Sequence, residues 1–312
     1  MSTSYDILAG LSLLLLGVIG LVLCLLVAVA VSRLAKEKPG FRCLLSDVIA
    51  NAAHIVVFGL LIGSQITLQW QLPEGLRLPF NWLSDFTWFT VASHYTLLAL
   101  FRALSIAFPL WFEPWIHKMS YPSCVGLWLL NALQVVVLRQ GKIIEATFYP
   151  DPTRYGFVCN NWTLHKQSLG PHFWKVYNFL SFYPPITIYC IAALIMVYRA
   201  FQQGSAQQLN STHKRLFVIC LLNLILFWAC EKMFSVLWLT GKWGTWATMV
   251  GVVVNSSLNA LTVVLLSTHV RSAIGKLLGK GEIATLSVHP APTIERPAQS
   301  APKNAKIATS HL

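Results

Sequence analysis

Charge is what this chain has least of. Only 11% of its 312 residues are charged and 11 in all are acidic, whereas a soluble globular domain carries about a quarter of its residues as charges. That scarcity excludes a well-solvated domain and, with 55% hydrophobic residues, leaves a membrane protein embedded in a lipid bilayer. The net charge of +12 does not point to nucleic acid, because the basic residues sit in short clusters between apolar runs and form no stripe that could follow phosphates. Cysteine offers no framework either. There are seven, an odd number, with no CxxC and no zinc-ligand spacing, so no structural metal is expected. Cys24, Cys43, Cys124, Cys190, Cys220 and Cys230 lie inside apolar runs as small hydrophobes, and Cys159 alone lies in a long loop. A Ser-His-Asp order, paired histidine ligands and a phosphate loop are all missing, so no enzyme and no cofactor are expected.

What the chain has is length in apolar runs. A hydrocarbon core of roughly 30 Å takes about 20 apolar residues per helix, and seven stretches qualify: 7–32, 43–69, 82–108, 120–139, 173–199, 216–240 and 245–268. Lipid allows only helices or closed barrels, and unbroken runs of this length exclude strands. The expected fold is an all-α membrane protein, a seven-transmembrane helix bundle occupying 1–280. The first run has no basic residue before Ile7 and is too long for a cleavable signal, so it reads as a signal anchor. Arg139 and Gln140 interrupt the outer end of the fourth run, and Pro184-Pro185 interrupts the fifth from within.

Basic residues also set the orientation. Arg33, Lys36, Lys38 and Arg42 crowd the first loop, Arg199, Lys214 and Arg215 flank the third inner loop, and Arg271, Lys276 and Lys280 follow the seventh run. This places the N-terminus outside and the C-terminus in the cytoplasm, despite Lys142, Arg154 and Lys166 in the long loop 140–172, since long loops weigh less. That loop carries the glycosylation sequon Asn161-Trp162-Thr163 on the outer side. Sequons at Asn210 and Asn255 fall inside the cell and within a helix, and are expected to be silent. Residues 270–279 space apolar residues helically against cations, as an amphipathic eighth helix on the inner leaflet. From 281 to 312 Pro, Ala, Thr and Ser dominate without apolar period, so a disordered cytoplasmic tail is expected.

Within the third run, residues 85, 88, 92, 95, 99 and 102 recur at alternating spacings of three and four and share one helix face. They read Asp, Trp, Ala, Tyr, Ala, Arg: polar at both ends and aromatic between. Asp85 and Arg102 stand roughly 25 Å apart along such a helix, one at each mouth. A charge at the end of a span is costly unless wetted or partnered. Arg102 reads either as a boundary cation reaching the headgroups or as a switch that changes partners. Tyr95 either packs with its hydroxyl bonded to a neighbour or lines a pocket.

Arg102, Ser105, Ile106, Pro109, Leu110 and Trp111 form a pattern that resembles the signature of rhodopsin-like G-protein-coupled receptors, in which the arginine closes the inner end of helix three. Trp128 lies at that family's usual distance beyond the arginine. Asn255-Ser256-Ser257-Leu258-Asn259-Ala260 resembles its Asn-Ser-x-x-Asn-Pro, with alanine for proline. Gly40 to Ala52 and Ser93-His94-Tyr95 before Phe101-Arg102 are similar to nematode class X serpentine chemoreceptors. The resemblance implies coupling of a heterotrimeric G protein through Arg102, Pro109 and Asn259. Phe101 replaces the usual acidic neighbour of the arginine, which implies a weak resting lock and basal activity. It also implies a polar network of Asn51, Asn255, Ser256 and Asn259. The family's aspartate position falls on the uncharged Asn51, which argues against a sodium site, and its asparagine of the first span is replaced by Leu21. Val253 occupies the retinal-lysine position, so an opsin is excluded. Residues 70–84 offer no cysteine for the family's outer disulfide to Cys159, which leaves the long loop without its usual tether.

A small extracellular ligand would enter the outer halves of the helices, and the pocket candidates are Asp85, Trp88, Tyr95, Trp228, Glu231 and Lys232. Trp228 takes the family's rotamer-switch position. Adjacent Glu231 and Lys232 cannot face each other, so Lys232 either bridges to Asp85 or contacts ligand. A chemosensory receptor at the plasma membrane, in a sensory cilium for example, is the expectation. Its rivals are a neuropeptide or other non-sensory receptor, a small transporter, and an intramembrane enzyme, for which His54, His94 and Asp47 look too scattered.

Overall fold

The computed structural model describes residues 4–202, 211–237 and 241–279; the expected tail at 281–312 and Asn210 lie outside the described residues. With no water to satisfy the backbone, apolar runs of this length close their hydrogen bonds within helices. Helix α1 spans Ser4–Glu37. The second body is α2 (Gly40–Ile55), a π-helical turn (Val56–Leu61) and α3 (Ile62–Leu68) in one continuous rod. Next come α4 (Glu74–Ala107) and α5 (Pro109–Gln140). After the long loop with its short helix α6 (Trp162–Gln167) follow α7 (Gly170–Gln202), α8 (Ser211–Leu237), α9 (Lys242–Leu266) and α10 (Thr268–Leu277). Among the described residues six helical bodies are long and apolar enough to cross a membrane; the remaining long one, α8, is flanked on both sides by residues outside the description. The all-α membrane bundle with a short amphipathic eighth helix is therefore the fold observed.

Two departures from the sequence expectation matter for the site. Helix α5 begins at Pro109, directly after Phe108 breaks the backbone at φ −138°, ψ 60°, so 109–119 is helix where an inner loop was expected. Proline at a first helical position costs no hydrogen bond, which is why the break falls there. Helices also run through Pro79, Pro114, Pro122 and the Pro184-Pro185 pair, so proline interrupts none of these segments. The long loop, second, carries a hairpin: β1 (Phe148–Asp151) pairs antiparallel with β2 (Gly156–Cys159), Phe148 opposite Cys159 and Asp151 opposite Gly156. Asp151 accepts from the Thr153 backbone N–H at 2.8 Å to shape the turn.

The hairpin is fastened at its tip. The Tyr155 hydroxyl donates to Asp6 of α1 at 2.5 Å, and Lys242 at the start of α9 donates to the same hydroxyl at 3.2 Å. Trp246 of α9 donates to the Ala9 carbonyl at 3.1 Å. At the opposite end of the bundle Ser267 caps α10 through the Val270 N–H. Val270 and Ile274 join the core formed by α1, α2 and α9, while Arg271 and Lys276 stay exposed.

Helix α1 lies unusually close to the second rod. A Cβ on Gly10 would stand 2.5 Å from the Thr67 backbone nitrogen, and one on Gly63 would stand 2.9 Å from that of Leu14. Gly59 and Gly63 are spaced as in GxxxG, which lets membrane helices approach where no hydrophobic effect drives them together. Gly63→Val is expected to destabilise by about 1–3 kcal/mol through overpacking, seen as a lower melting temperature in detergent. Gly126→Ala, with nothing within 4 Å of the added carbon, leaves melting unchanged or raises it.

Candidate functional site

Helix α4 carries the site. Its inward face holds Asp85, Ala92, Tyr95 and Ala99 buried, with Trp88 and Arg102 half-buried. Asp85 does not pair with Lys232. It meets Arg139 at the end of α5, a pair whose side chains are 11% and 3% exposed respectively. The Arg139 Nε donates to Asp85 at 3.1 Å, Nη2 donates to the same carboxylate oxygen and to Asn81 Oδ1, and Nη1 donates to the Ala146 carbonyl at 2.8 Å. Asn81 completes the knot, donating to Asp85 at 3.3 Å and accepting the Phe148 backbone N–H at 2.8 Å. The loop is thus held to α4 by a buried ion pair, while Cys159 is a free thiol.

Beneath the hairpin lies a cavity of about 330 Å³, within the range of small-molecule sites. Asn81, Ser84, Asp85 and Trp88 line it from α4, Phe58 from the π-helical turn, Trp174 and Asn178 from α7, and Glu231 from α8. Phe148, Phe157, Trp162 and His165 roof it. Of the expected pocket residues the cavity brings together Asp85, Trp88 and Glu231. Tyr95 lies deeper, its ring 4.9 Å from Phe227. Trp228 and Lys232 are misplaced by the sequence reading: Trp228 is exposed, stacks on Phe182 at 5.2 Å, and has the Lys232 ammonium 5.7 Å above its ring. One helical residue turns a side chain by about 100°, so the inward aromatic is Phe227, 4% exposed, with its ring 5.8 Å from Trp88. The four-residue spacing of Asn223, Phe227 and Glu231 was the available signal.

Below the aromatics, polar side chains cross the bundle. Asn255 donates to the Tyr95 hydroxyl at 3.4 Å. Asn259 donates to Asp47 at 2.7 Å, Asn51 donates to the other Asp47 oxygen at 3.1 Å, and Asn223 donates to Asn259. Thr262 donates to Asn223 at 2.9 Å. Ser256 is fully buried, its hydroxyl without a hydrogen-bond partner among the described residues. The expectation of an uncharged network is corrected: the carboxylate sought at Asn51 stands one turn earlier at Asp47, and Asn51 serves it as a donor. An uncharged Asn51 therefore no longer argues against a sodium site, although among the described residues no group of three or more His, Cys, Asp or Glu side chains could hold a metal. Trp128 donates to Ser46, which also contacts His94 at 2.8 Å, joining α5 and α4 to α2.

At the end of α4 away from the hairpin Arg102 makes no side-chain hydrogen bond or ion pair among the described residues; its carbonyl accepts from the Ser105 hydroxyl at 2.8 Å. Pro109 opens α5 next to exposed Leu110 and Trp111. Asn161, the sequon residue, is exposed and uses Oδ1 to cap α6 through the Leu164 N–H at 2.9 Å. Sequence reading missed Asp47, Arg139, Asn81, Phe227 and the loop residues of the roof.

Removing one partner of a buried pair strands the other charge, which costs about 3–5 kcal/mol. Arg139→Ala is therefore expected to lower folded yield and melting temperature sharply, and Asp85→Asn combined with Arg139→Met to recover more than half of the loss. His165 gives a pH signature. Burial holds its imidazole below the ordinary histidine range, so the folded state binds fewer protons than the unfolded state. Its contribution is present above about pH 6.5 and is lost as pH falls through the lowered value. Melting curves from pH 7.5 to 5 should decline less for His165→Asn than for the native protein.

No protein-family model matches this chain, and no curated protein matches it in sequence. Its shape does match: 578 chains of solved structures are similar, among them squid rhodopsin, with a TM-score of 0.70 at 13% identity over 88% of this chain and 86% of that one. The fold of this chain is that of a rhodopsin-like G-protein-coupled receptor.

Proposed function

We propose that this protein is a plasma-membrane receptor, N-terminus outside and C-terminus in the cytoplasm, that binds a small molecule beneath the hairpin and activates a heterotrimeric G protein at the inner end of α4. The observation that carries the reading is the pairing of two sites on one helix face. An aromatic cavity lies at the outer end, a half-buried arginine with no side-chain hydrogen bond or ion pair among the described residues lies at the inner end, and Trp88, Phe227, Tyr95, Asn255 and Asn259 stand between them. Contact through packed rings and amides is a physical route for coupling, provided both sites bias the same two-state element.

A volume of about 330 Å³ under a folded roof suits a small molecule better than a peptide. The likeness of residues 40–52 and 93–102 to nematode chemoreceptors supports a chemosensory role, with a sensory cilium as the membrane in which to look for the protein. Asp47, Asn51, Asn255, Ser256 and Asn259 serve as the conformational core, and Arg102, Pro109 and Leu110 as the coupling surface.

The test is nucleotide exchange on purified G proteins by the full chain in lipid nanodiscs. Some exchange is expected without ligand, because Phe101 leaves Arg102 without an acidic neighbour. Arg102→Ala should lower exchange at least tenfold, about 1.4 kcal/mol of coupling, with melting unchanged since no described side-chain bond is lost. Exchange undiminished by Arg102→Ala would sink the receptor reading.

A further inference from the structure

Two thiols meet where α2 crosses α5. The Cys124 thiol donates to the Cys43 sulfur at 3.7 Å, across 81 positions of the chain. Both side chains are buried and both thiols are free. They share one apolar cluster with Leu98 and Phe101 of α4 and with Phe112 and Ile116 of α5. Packing asks only for small apolar groups at such positions; two sulfurs in contact add a chemistry that hydrocarbon lacks.

The crossing is pinned on both sides of the sulfurs. Arg42, the residue before Cys43, donates to the Ser120 hydroxyl at 3.0 Å and to the His117 carbonyl at 3.2 Å. Trp128 donates to Ser46 at 2.9 Å. Ser120 and Trp128 stand one helical turn before and one turn after Cys124 on α5, so the two backbones are held in register where the thiols face each other. Groups held in contact react with each other far faster than with partners from solution. Cys43 is also the fourth residue of α2, which puts the pair about one turn from the end of that rod and not at the middle of the bundle.

We infer that Cys43 and Cys124 form a redox-sensitive dithiol, which hydrogen peroxide closes into a disulfide between α2 and α5. One sulfur attacks a peroxide oxygen; the O–O bond breaks, the thiol becomes a sulfenic acid and the other oxygen leaves as water. The second sulfur then attacks the sulfenic sulfur. The S–S bond forms, and the hydroxyl leaves as water with the proton of the second thiol. Two thiols and one peroxide thus give one disulfide and two waters, and a small thiol of the glutathione class reverses the bond by exchange. Peroxide is small and uncharged, so an apolar surrounding that bars charged oxidants admits it. In the orientation proposed above this end faces the cytoplasm, where disulfides are transient and redox-sensing. The bond ties α2 to α5 beside Phe101, the neighbour of Arg102, and its chemistry stands without the receptor reading.

The test treats the full chain in nanodiscs with graded hydrogen peroxide, blocks the remaining thiols with N-ethylmaleimide and maps the peptides by mass spectrometry. The peptides of Cys43 and Cys124 should appear joined, lighter by two hydrogens than the reduced pair, in preference to any other cysteine pair. Dithiothreitol should part them. Melting of the oxidised protein should rise by roughly 5 °C, because the link closes a long loop in the unfolded chain, and return with dithiothreitol. Cys43→Ala should abolish both the link and the shift; the peptide map of the native protein stands as a measurement even if that variant fails to fold. Three results overturn the inference: both thiols intact at a dose that oxidises the loop thiol Cys159 completely, sulfinic or sulfonic acid at either position without a link, or a link from either to another cysteine. Nucleotide exchange on the same samples is read separately. A link without exchange in either form sinks the receptor and keeps the dithiol, and exchange without a link does the reverse.

Discussion

The half of this molecule that carries the hairpin depends on one buried ion pair. Arg139 ends α5 and Asp85 lies near the start of α4, and neither charge could remain where it is without the other. Desolvating two such groups is repaid only when geometry is good and the remaining donors are satisfied. Here the surplus donors of the guanidinium go to Asn81 and to the carbonyls of Ile144 and Ala146. One side chain thereby fixes the α4–α5 distance and the path of the loop as it leaves α5. The hairpin follows from that path, and its far tip is anchored independently by Tyr155 between α1 and α9. Fastened at both ends, the loop makes a roof, and a roof is what turns a groove between helices into a cavity.

From that roof to the inner surface the bundle changes character in layers. Rings dominate beneath the hairpin, amides and the Asp47 carboxylate dominate midway, and Arg102 stands at the far end of the same face of α4. Rings meet by tilted contacts, and Asn51 and Asn259 donate to one shared carboxylate, Asp47, while the Ser256 hydroxyl and the Asn51 and Asn255 amide oxygens have no hydrogen-bond partner among the described residues. Hydrogen bonds in low dielectric are costly to break one at a time, so the bonds that converge on Asp47 favour discrete arrangements over gradual deformation.

The fold was legible because lipid leaves the chain so few options: apolar runs of this length can only be helices, and their number and spacing follow from the sequence. The face of α4 was legible too, since Asp85 through Arg102 repeat over five intervals without a break. Helix α8 defeated the same reasoning because Trp228 and Phe227 are neighbours and both aromatic; matching the tryptophan to the rotamer-switch position of the resembled family turned the face by one residue and carried Lys232 with it. Asp47 was passed over for the opposite reason. It and Asn51 lie one turn apart on the same face, and nothing in a linear pattern says which of the two will meet Asn259. Arg139 looked like a flaw in a hydrophobic run, and its partner lies 54 positions away. The hairpin could not have been read at all from a stretch in which Pro152 and Gly156 punctuate only a few apolar residues.

The π-helical turn at Val56–Leu61 divides the second rod into two reading frames. A π-turn holds one residue more than an α-turn, so the part beyond it is rotated relative to the part before it. The part before it carries Asp47 and Asn51; the part beyond it carries Gly63, which faces Gly10 and Leu14 of α1. A gain or loss of a single residue there re-aims the part beyond while the part before keeps its register. Lineages descended from such a chain are free to reshape the wall that Phe58 lends to the cavity without shifting the polar contacts of Asp47.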